Sequence, residues 1–146
     1  MSTVQNYLKL ARELGVPEQA LIFKDYIPHN EVPLWQKSCD ILPINWDDTP
    51  YLSKSPSSMK MFEYMATGVP IVASDIPSLR EVLKHNYNAI MVPPGNTKAL
   101  VQVFMDILST PQKFRNIGET AKQQVINNFT WSNRAKALLN NANLLL

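Results

Sequence analysis

Short apolar runs alternate along the chain with longer segments in which apolar residues recur at every third or fourth position. Continuous apolar runs are typical of strands that are buried on both faces of a parallel sheet. The wider spacing is typical of amphipathic helices that cover such a sheet. The pattern therefore predicts four strands, at residues 20–23, 41–44, 71–73 and 89–92.

Helix start and stop signals separate the predicted strands. Apolar residues predict an opening helix over residues 3–14, which ends at Gly15. Strands that alternate with helices predict the α/β class. We expect residues 1–146 to form one domain, a Rossmann-like doubly wound parallel sheet of about four to five strands with helices on both faces. The other helices are predicted to begin near Asn30, Ser55, Asp75 or Ile76, Thr110 and Thr130, with one more along residues 100–108.

Composition excludes several classes of protein. The apolar fraction of 45% and the charged fraction of 18% argue against disorder. With 14 Lys and Arg against 12 Asp and Glu, the net charge of +2 argues against an electrostatic nucleic-acid binder. The single cysteine, Cys39, excludes an internal disulfide and a CxxC site. Because no signal peptide and no apolar run of ~18 residues is visible, we expect a cytoplasmic domain without a transmembrane segment.

The most informative candidate site is the start of the helix that follows the second predicted strand. Ligands of doubly wound sheets bind beyond the carboxyl ends of the strands, beside helix N-termini. With Ser55 as the cap and Pro56 at the first helical position, the first free amides belong to Ser57, Ser58 and Met59. Those amides and the positive end of the helix predict an anion site.

Two charged residues follow this helix start. Lys60 can add a positive charge to the anion site, and the carboxylate of Glu63 suits a pair of neighbouring hydroxyl groups. A purely structural interpretation is also open, because a Ser-Pro pair is commonly only a cap. In that case Lys60 and Glu63, three residues apart, would form a solvated ion pair.

The segment SPSSMKMFEYMATGVPIVASDIPSLREVL, residues 55–83, resembles the C-terminal domain of family 4 glycosyltransferases with the GT-B fold. Its core matches the family in order and spacing as SPxxxKxFEYMAxGxPIVASDxPxLREV. The similarity extends to residues 10–44 before this segment and to residues 88–100 and 129–139 after it. It covers nearly the whole chain, but only half of such an enzyme.

The resemblance implies a function. Enzymes of this family join two Rossmann-like domains around a cleft, and this chain resembles the donor-binding half of a retaining glycosyltransferase, inactive when alone. The implied donor is a nucleotide diphospho-sugar, from which a hexose passes to a glycan or lipid-linked acceptor held by the absent N-terminal domain. The resemblance implies no metal and no other cofactor. It is compatible with polysaccharide biosynthesis in the cytoplasm, peripheral at the membrane in the full-length protein.

The resemblance also assigns roles to individual residues. Glu63 matches the glutamate that binds the ribose hydroxyls of the donor. Ser57, Ser58 and Lys60 lie where the helix start faces the diphosphate. The loop near the base, which contacts it largely through the backbone, contains Tyr26 and Ile27.

Three features depart from the family pattern. Many relatives carry another glutamate eight positions before the one that matches Glu63, where it contacts the sugar, and this chain has Ser55 there. Asp48, or its neighbour Asp47, is the candidate for that contact. Asp25 stands where the family often has glycine, which would alter the pocket for the base. The strand and glycine-bearing turn that usually open the donor domain are not in this chain.

Two other functions are open. A non-catalytic interaction or regulatory module with a degenerate nucleotide site would account for Ser55 and Asp25, but not for the intact segment that contains Lys60 and Glu63. A phosphoacceptor signalling domain would use aspartates near strand ends, such as Asp75. It would also need a lysine at the end of a later strand, where the chain has two prolines.

Overall fold

The computed structural model describes residues 3–54 and 58–143. These residues form two units, one that ends at Val32 and one that begins at Pro33. In the described part of the chain, no helix is long and apolar enough to cross a membrane.

The first unit contains the predicted opening helix, α1 (Thr3–Glu13). The chain turns away from the helix at Gly15, two residues after its last residue, with a φ of 71° in the left-handed region that glycine adopts without strain. The predicted strand over residues 20–23 is wrong. A 3-10 turn occupies Glu18–Ala20, and Leu21 is extended (φ −111°, ψ 120°) without belonging to a described strand. Extended backbone is a local preference, whereas a strand also needs a hydrogen-bonded neighbour.

The second unit carries the sheet and most of the helices. Its strands are parallel and lie in the order β1-β2-β3, with Leu42 opposite Ile71 and Ala73 opposite Met91. The α/β class and the parallel sheet are confirmed, with three strands among the described residues. The elements are α2 (Val32–Lys37), β1 (Leu42–Ile44), α3 (Pro50–Lys54), α4 (Met59–Thr67), β2 (Ile71–Ser74), α5 (Pro77–Arg80), β3 (Ile90–Val92), α6 (Thr97–Ser109), α7 (Pro111–Asn128) and α8 (Trp131–Asn143).

Each face of the sheet has its own core, because successive side chains of a strand point to opposite faces. On one face, Ile71 and Ala73 of β2 belong to a cluster with Met61 and Met65 of α4. On the other face, Val72 belongs to a cluster with residues of β3, α6 and α7. The short apolar runs of the sequence thus become strands that are covered on both sides.

Helices α4 and α7 approach each other most closely at two glycines. Gly68 ends α4 with a φ of 78°, and its amide donates a hydrogen bond to the Met65 carbonyl at 3.3 Å. Gly118 of α7 is buried against it, so that a Cβ atom on Gly118 would lie 2.1 Å from the Gly68 carbonyl oxygen. Only a residue without a side chain fits this position.

The substitution Gly118→Ala should therefore be strongly destabilising. We expect it to lower the free energy of unfolding by roughly 3 kcal/mol or more, because the added methyl group meets backbone that must move. Gly95→Ala is the matched control, because its Cβ would meet nothing within 4 Å and only its φ of 71° is unfavourable. That control substitution should lower the free energy of unfolding by only ~1–2 kcal/mol. Urea unfolding of both variants measures the difference, and equal losses would contradict the close packing at Gly118.

Candidate functional site

The carboxyl ends of neighbouring strands are joined by hydrogen bonds. The Ser74 side chain, fully buried at the end of β2, accepts a hydrogen bond from the Trp46 amide at 2.8 Å. The amide of Asp75 donates to the Val92 carbonyl at 2.7 Å. The chain just after β1 and just after β2 is therefore tied to the end of the neighbouring strand, at the edge where this class of fold binds ligands.

Helix α4 begins later than its sequence predicts. Ser58 is the N-cap, with an extended backbone (φ −69°, ψ 130°) and no capping hydrogen bond from its side chain. The prediction that Ser55 caps the helix with Pro56 at its first position is therefore wrong for the start of α4, although both residues, like Ser57, lie outside the described residues. Because Ser58 is not helical, the first-turn amides shift toward Met59 and Lys60.

Glu63 lies on α4, one turn after its start, and is half-buried. Gln36 of α2 donates a hydrogen bond from Nε2 to Glu63 Oε2 at 3.5 Å, near the long limit for such a bond. A carboxylate has about four lone-pair sites, so this one long contact with a described residue leaves capacity for further donors. Gln36 thus orients the carboxylate without saturating it.

Lys60 and Glu63 do not form the ion pair that the structural interpretation predicts. The exposed Lys60 ammonium group lies 5.2 Å from the centre of the Tyr64 ring, a cation–π distance. Ion pairs between described residues join other partners, and none links Lys60 with Glu63. The cation at the helix start and the carboxylate one turn later are thus held separately.

The loop before α3 shows what Asp48 does in the structure. Its Oδ1 accepts a hydrogen bond from the Ser53 hydroxyl at 2.5 Å. Thr49 caps the same helix, because its hydroxyl accepts from the Leu52 amide at 3.2 Å. These contacts stabilise the start of α3, and a contact between the exposed Asp48 and a sugar stays a prediction.

Tyr26 and Ile27 belong to the first unit. The Tyr26 side chain is 80% exposed, whereas Ile27 is half-buried. A role of these residues near a base stays a prediction.

Sequence reasoning missed two partners in the second unit. Gln36 lies 27 residues before Glu63, and no pattern in the sequence connects them. Arg80 forms an ion pair with Asp75, in which Nε donates to Oδ1 at 2.5 Å and Nη2 donates to the Asp75 carbonyl at 3.2 Å. The spacing of opposite charges around the start of α5 could have suggested this second contact. The Asp75 carboxylate that the phosphoacceptor hypothesis would use is therefore engaged by a guanidinium group.

Electrostatics at this edge follow from the same ion pair. The hydrogen bond from Arg80, and then its charge, hold the pKa of Asp75 below its ordinary value of 3.8, against the opposing effect of burial. The neighbouring Asp75 raises the pKa of Arg80 in turn. Among the described residues, no three His, Cys, Asp or Glu side chains are grouped so that they could hold a metal ion.

Comparison with known proteins identifies related sequences. A sequence model described as "Glycosyl transferases group 1" matches residues 2–124. The chain is 29% identical over 138 residues to an uncharacterized glycosyltransferase of Methanocaldococcus jannaschii, a match that covers 94% of this chain and 34% of that protein. It is 32% identical over 79 residues to the MMP alpha-(1->4)-mannosyltransferase of Mycolicibacterium hassiacum. This match covers 53% of the chain and 19% of that protein. The chain spans about a third or less of the length of these relatives.

Solved structures show the same fold. HepE of Anabaena in complex with UDP-glucose superposes with a TM-score of 0.78 at 20% identity, over 95% of this chain and 36% of that one. The C-terminal domain of LpcC, a group 1 glycosyl transferase of Francisella tularensis, superposes with a TM-score of 0.72 at 18% identity. The superposition covers 87% of this chain and 62% of that one. These similarities confirm the Rossmann-like prediction.

The ion pair with Arg80 lowers the pKa of Asp75, and a substitution of Arg80 tests this effect. In the variant Arg80→Ala, we expect the pKa of Asp75 to rise toward 3.8, because the hydrogen bond and the positive charge that favour the carboxylate are lost. Since the pKa is lowered in the folded state, the pair stabilises the fold above that ordinary value. Its contribution disappears as the pH falls through the folded pKa. An NMR titration of the carboxyl carbon measures the shift, and an unchanged value in the variant would contradict the assignment.

Proposed function

The chain belongs to the glycosyl transferases of group 1, and on that premise we propose that it binds the nucleotide diphospho-sugar donor of a longer, two-domain enzyme. The reaction is transfer of a hexose, with retention at the anomeric carbon, to a glycan or lipid-linked acceptor. The remainder of the enzyme holds that acceptor, and residues 1–146 alone do not complete the transfer. The match to the family over residues 2–124 supports the class of reaction, and HepE, a protein of the same fold, binds UDP-glucose.

One observation carries the proposal: the placement of Glu63 one turn beyond the amide end of α4. The carboxylate is half-buried, is oriented by Gln36 and is not neutralised by Lys60. In this position it can accept hydrogen bonds from both hydroxyl groups of a ribose. The bond from Gln36 restricts the side chain before the donor arrives, which reduces the entropy lost on binding.

The diphosphate is assigned to the first turn of α4. The amides of Met59 and Lys60 lie at the positive end of the helix dipole, next to the Ser58 hydroxyl. The exposed Lys60 can leave the Tyr64 ring at a cost of about 1 kcal/mol or less, because this cation–π contact is solvated. We also assign Ser57 to the diphosphate. Tyr26 and Ile27 are assigned to the base and Asp48 to the sugar, and all of these roles stay predictions.

The proposed chemistry needs charge stabilisation at the leaving group. The bond between the anomeric carbon and the diphosphate oxygen breaks, and the electron pair stays on that oxygen. The acceptor hydroxyl oxygen bonds to the same carbon, and its proton passes to the departing diphosphate oxygen. Fixed amides and a lysine can stabilise the leaving diphosphate. We propose on this basis that the transfer proceeds without a metal or another cofactor, in the cytoplasm or at the surface of a membrane.

The ribose assignment is tested by titration calorimetry with UDP, GDP and ADP. We expect one nucleotide to bind saturably, and Glu63→Ala to weaken it by ~1–3 kcal/mol, about 5- to 150-fold, because charge-assisted hydrogen bonds are lost. Glu13→Ala, an exposed helical glutamate on α1, is the control and should leave affinity unchanged. Unchanged affinity in a folded Glu63→Ala variant would exclude the ribose role.

The diphosphate assignment gives a separate result. Lys60→Ala should weaken binding of the nucleoside diphosphate severalfold and leave binding of the parent nucleoside unchanged, because only the phosphates meet the helix start. Glu63→Ala should weaken the binding of both ligands. Lys136→Ala, an exposed lysine of α8, is the control. Equal losses for nucleoside and nucleotide in Lys60→Ala would contradict this placement of the phosphates.

The competing function, an interaction module with a degenerate nucleotide site, predicts a different titration. A folded chain that binds none of the three nucleotides would favour it, once upstream residues of the longer protein had been added without restoring binding. Ser55, at the position where many relatives have the second glutamate, is the feature that favours this alternative.

A further inference from the structure

A polar groove of about 420 Å³ lies between Tyr87 and the outer face of α7. Its described lining consists of one tyrosine, one glutamate and six neutral residues with amide or hydroxyl side chains. It contains no lysine or arginine, and Glu119 is its only carboxylate. We call it the Tyr87 groove, and it shares no residue with the start of α4.

The floor of the Tyr87 groove is one stripe of α7. Asn116, Thr120, Gln123 and Asn127 follow at intervals of three or four residues, so their side chains share one face of the helix. The stripe is about 16 Å long at the helical rise of ~1.5 Å per residue. This length suits a short chain of several sugar units better than a single small molecule.

Hydrogen bonds hold the floor in place. Gln123 Nε2 donates to Glu119 Oε1 at 2.9 Å, and the Thr120 hydroxyl donates to the Asn116 carbonyl at 2.7 Å. Gln124 accepts a bond at 2.5 Å from Asn88, a side chain that is fully buried. Four of the lining side chains are thus held before any ligand arrives, namely Glu119, Thr120, Gln123 and Gln124, so they lose less freedom on binding.

The wall of the groove is an aromatic ring on a well-anchored loop. Tyr87 is 54% exposed, and its amide donates to the Lys84 carbonyl at 3.1 Å. The next residue, Asn88, accepts from the Lys84 amide at 2.6 Å and donates to the Val82 carbonyl at 2.9 Å. Asn86, with a φ of 58°, supplies the left-handed turn before the tyrosine. A large exposed ring is therefore presented by backbone that the buried Asn88 ties to the core.

We propose that the Tyr87 groove is a second binding site, which takes a neutral oligosaccharide. The apolar C–H face of a sugar ring can pack on the exposed aromatic ring, and amide groups can donate and accept at neighbouring hydroxyl groups. A phosphorylated or strongly anionic ligand does not fit, because the negative Glu119 is the only formal charge among the described residues of the lining. The Tyr87 groove is separate from the proposed donor site, which recognises a nucleotide.

The test is an NMR titration of the 146-residue chain with three neutral trisaccharides that differ in linkage or in sugar unit: maltotriose, cellotriose and N,N′,N″-triacetylchitotriose. We expect saturable shifts of the Tyr87 loop and α7 amides with at least one of them. Tyr87→Ala should weaken that binding about tenfold, whereas Tyr87→Phe, which keeps the ring, should retain most of it. Tyr7→Ala is the matched control, because Tyr7 is 57% exposed on α1.

The outcomes separate this site from the donor site. Binding that is lost in a folded Tyr87→Ala variant but kept in Glu63→Gln supports the Tyr87 groove, whether or not any nucleotide binds. Absence of saturable shifts in the groove with all three sugars at tens of millimolar overturns the proposal. Shifts that Tyr87→Ala leaves unchanged in its folded form overturn it equally.

Discussion

Burial of the central strand is the constraint on which the rest of the second unit depends. Each of the four residues of β2 is at most 1% exposed, since the strand pairs on both edges and is covered on both faces. Such a strand is stable only if helices supply apolar side chains to both faces. Met61 and Met65 of α4 meet one face, and Ile107 of α6 belongs to the cluster on the other.

The same constraint brings α4 into its position. The helix must end where β2 begins, and α7 packs on it so closely that Gly68 and Gly118 touch through their backbones. The start of α4 then lies at the carboxyl edge of the sheet, where Ser74 bonds to the chain after β1 and Asp75 bonds to the end of β3. Core packing therefore places the amide end of the helix and the backbone of Glu63, and the bond from Gln36 then orients the Glu63 carboxylate.

Two surfaces of different chemistry result from one set of packed elements. The start of α4 combines a helix dipole, a lysine and a carboxylate, which suits a nucleotide diphosphate. The outer face of α7 carries amides beside an exposed tyrosine and has no cation in its described lining, which suits a neutral ligand. Both are preorganised through hydrogen bonds with neighbouring elements, from Gln36 in the first case and from Asn88 in the second.

The sequence by itself determined the class of fold, the family and most of the elements. Apolar periodicity is a local signal, so it located α1, the three strands of the sheet and the helices of the last third, while the motif around Glu63 indicated the family. The sequence pattern misplaced the start of α4 and wrongly assigned a strand to residues 20–23. A capping residue starts a helix, and an extended segment forms a strand, only when neighbouring parts of the fold pair with them. Only the tertiary structure decided that Gln36, and not Lys60, contacts Glu63, and that Tyr87 lines one groove with a row of polar residues of α7. Such contacts join residues that are tens of positions apart, and packing of the sheet, not local preference, brings them together.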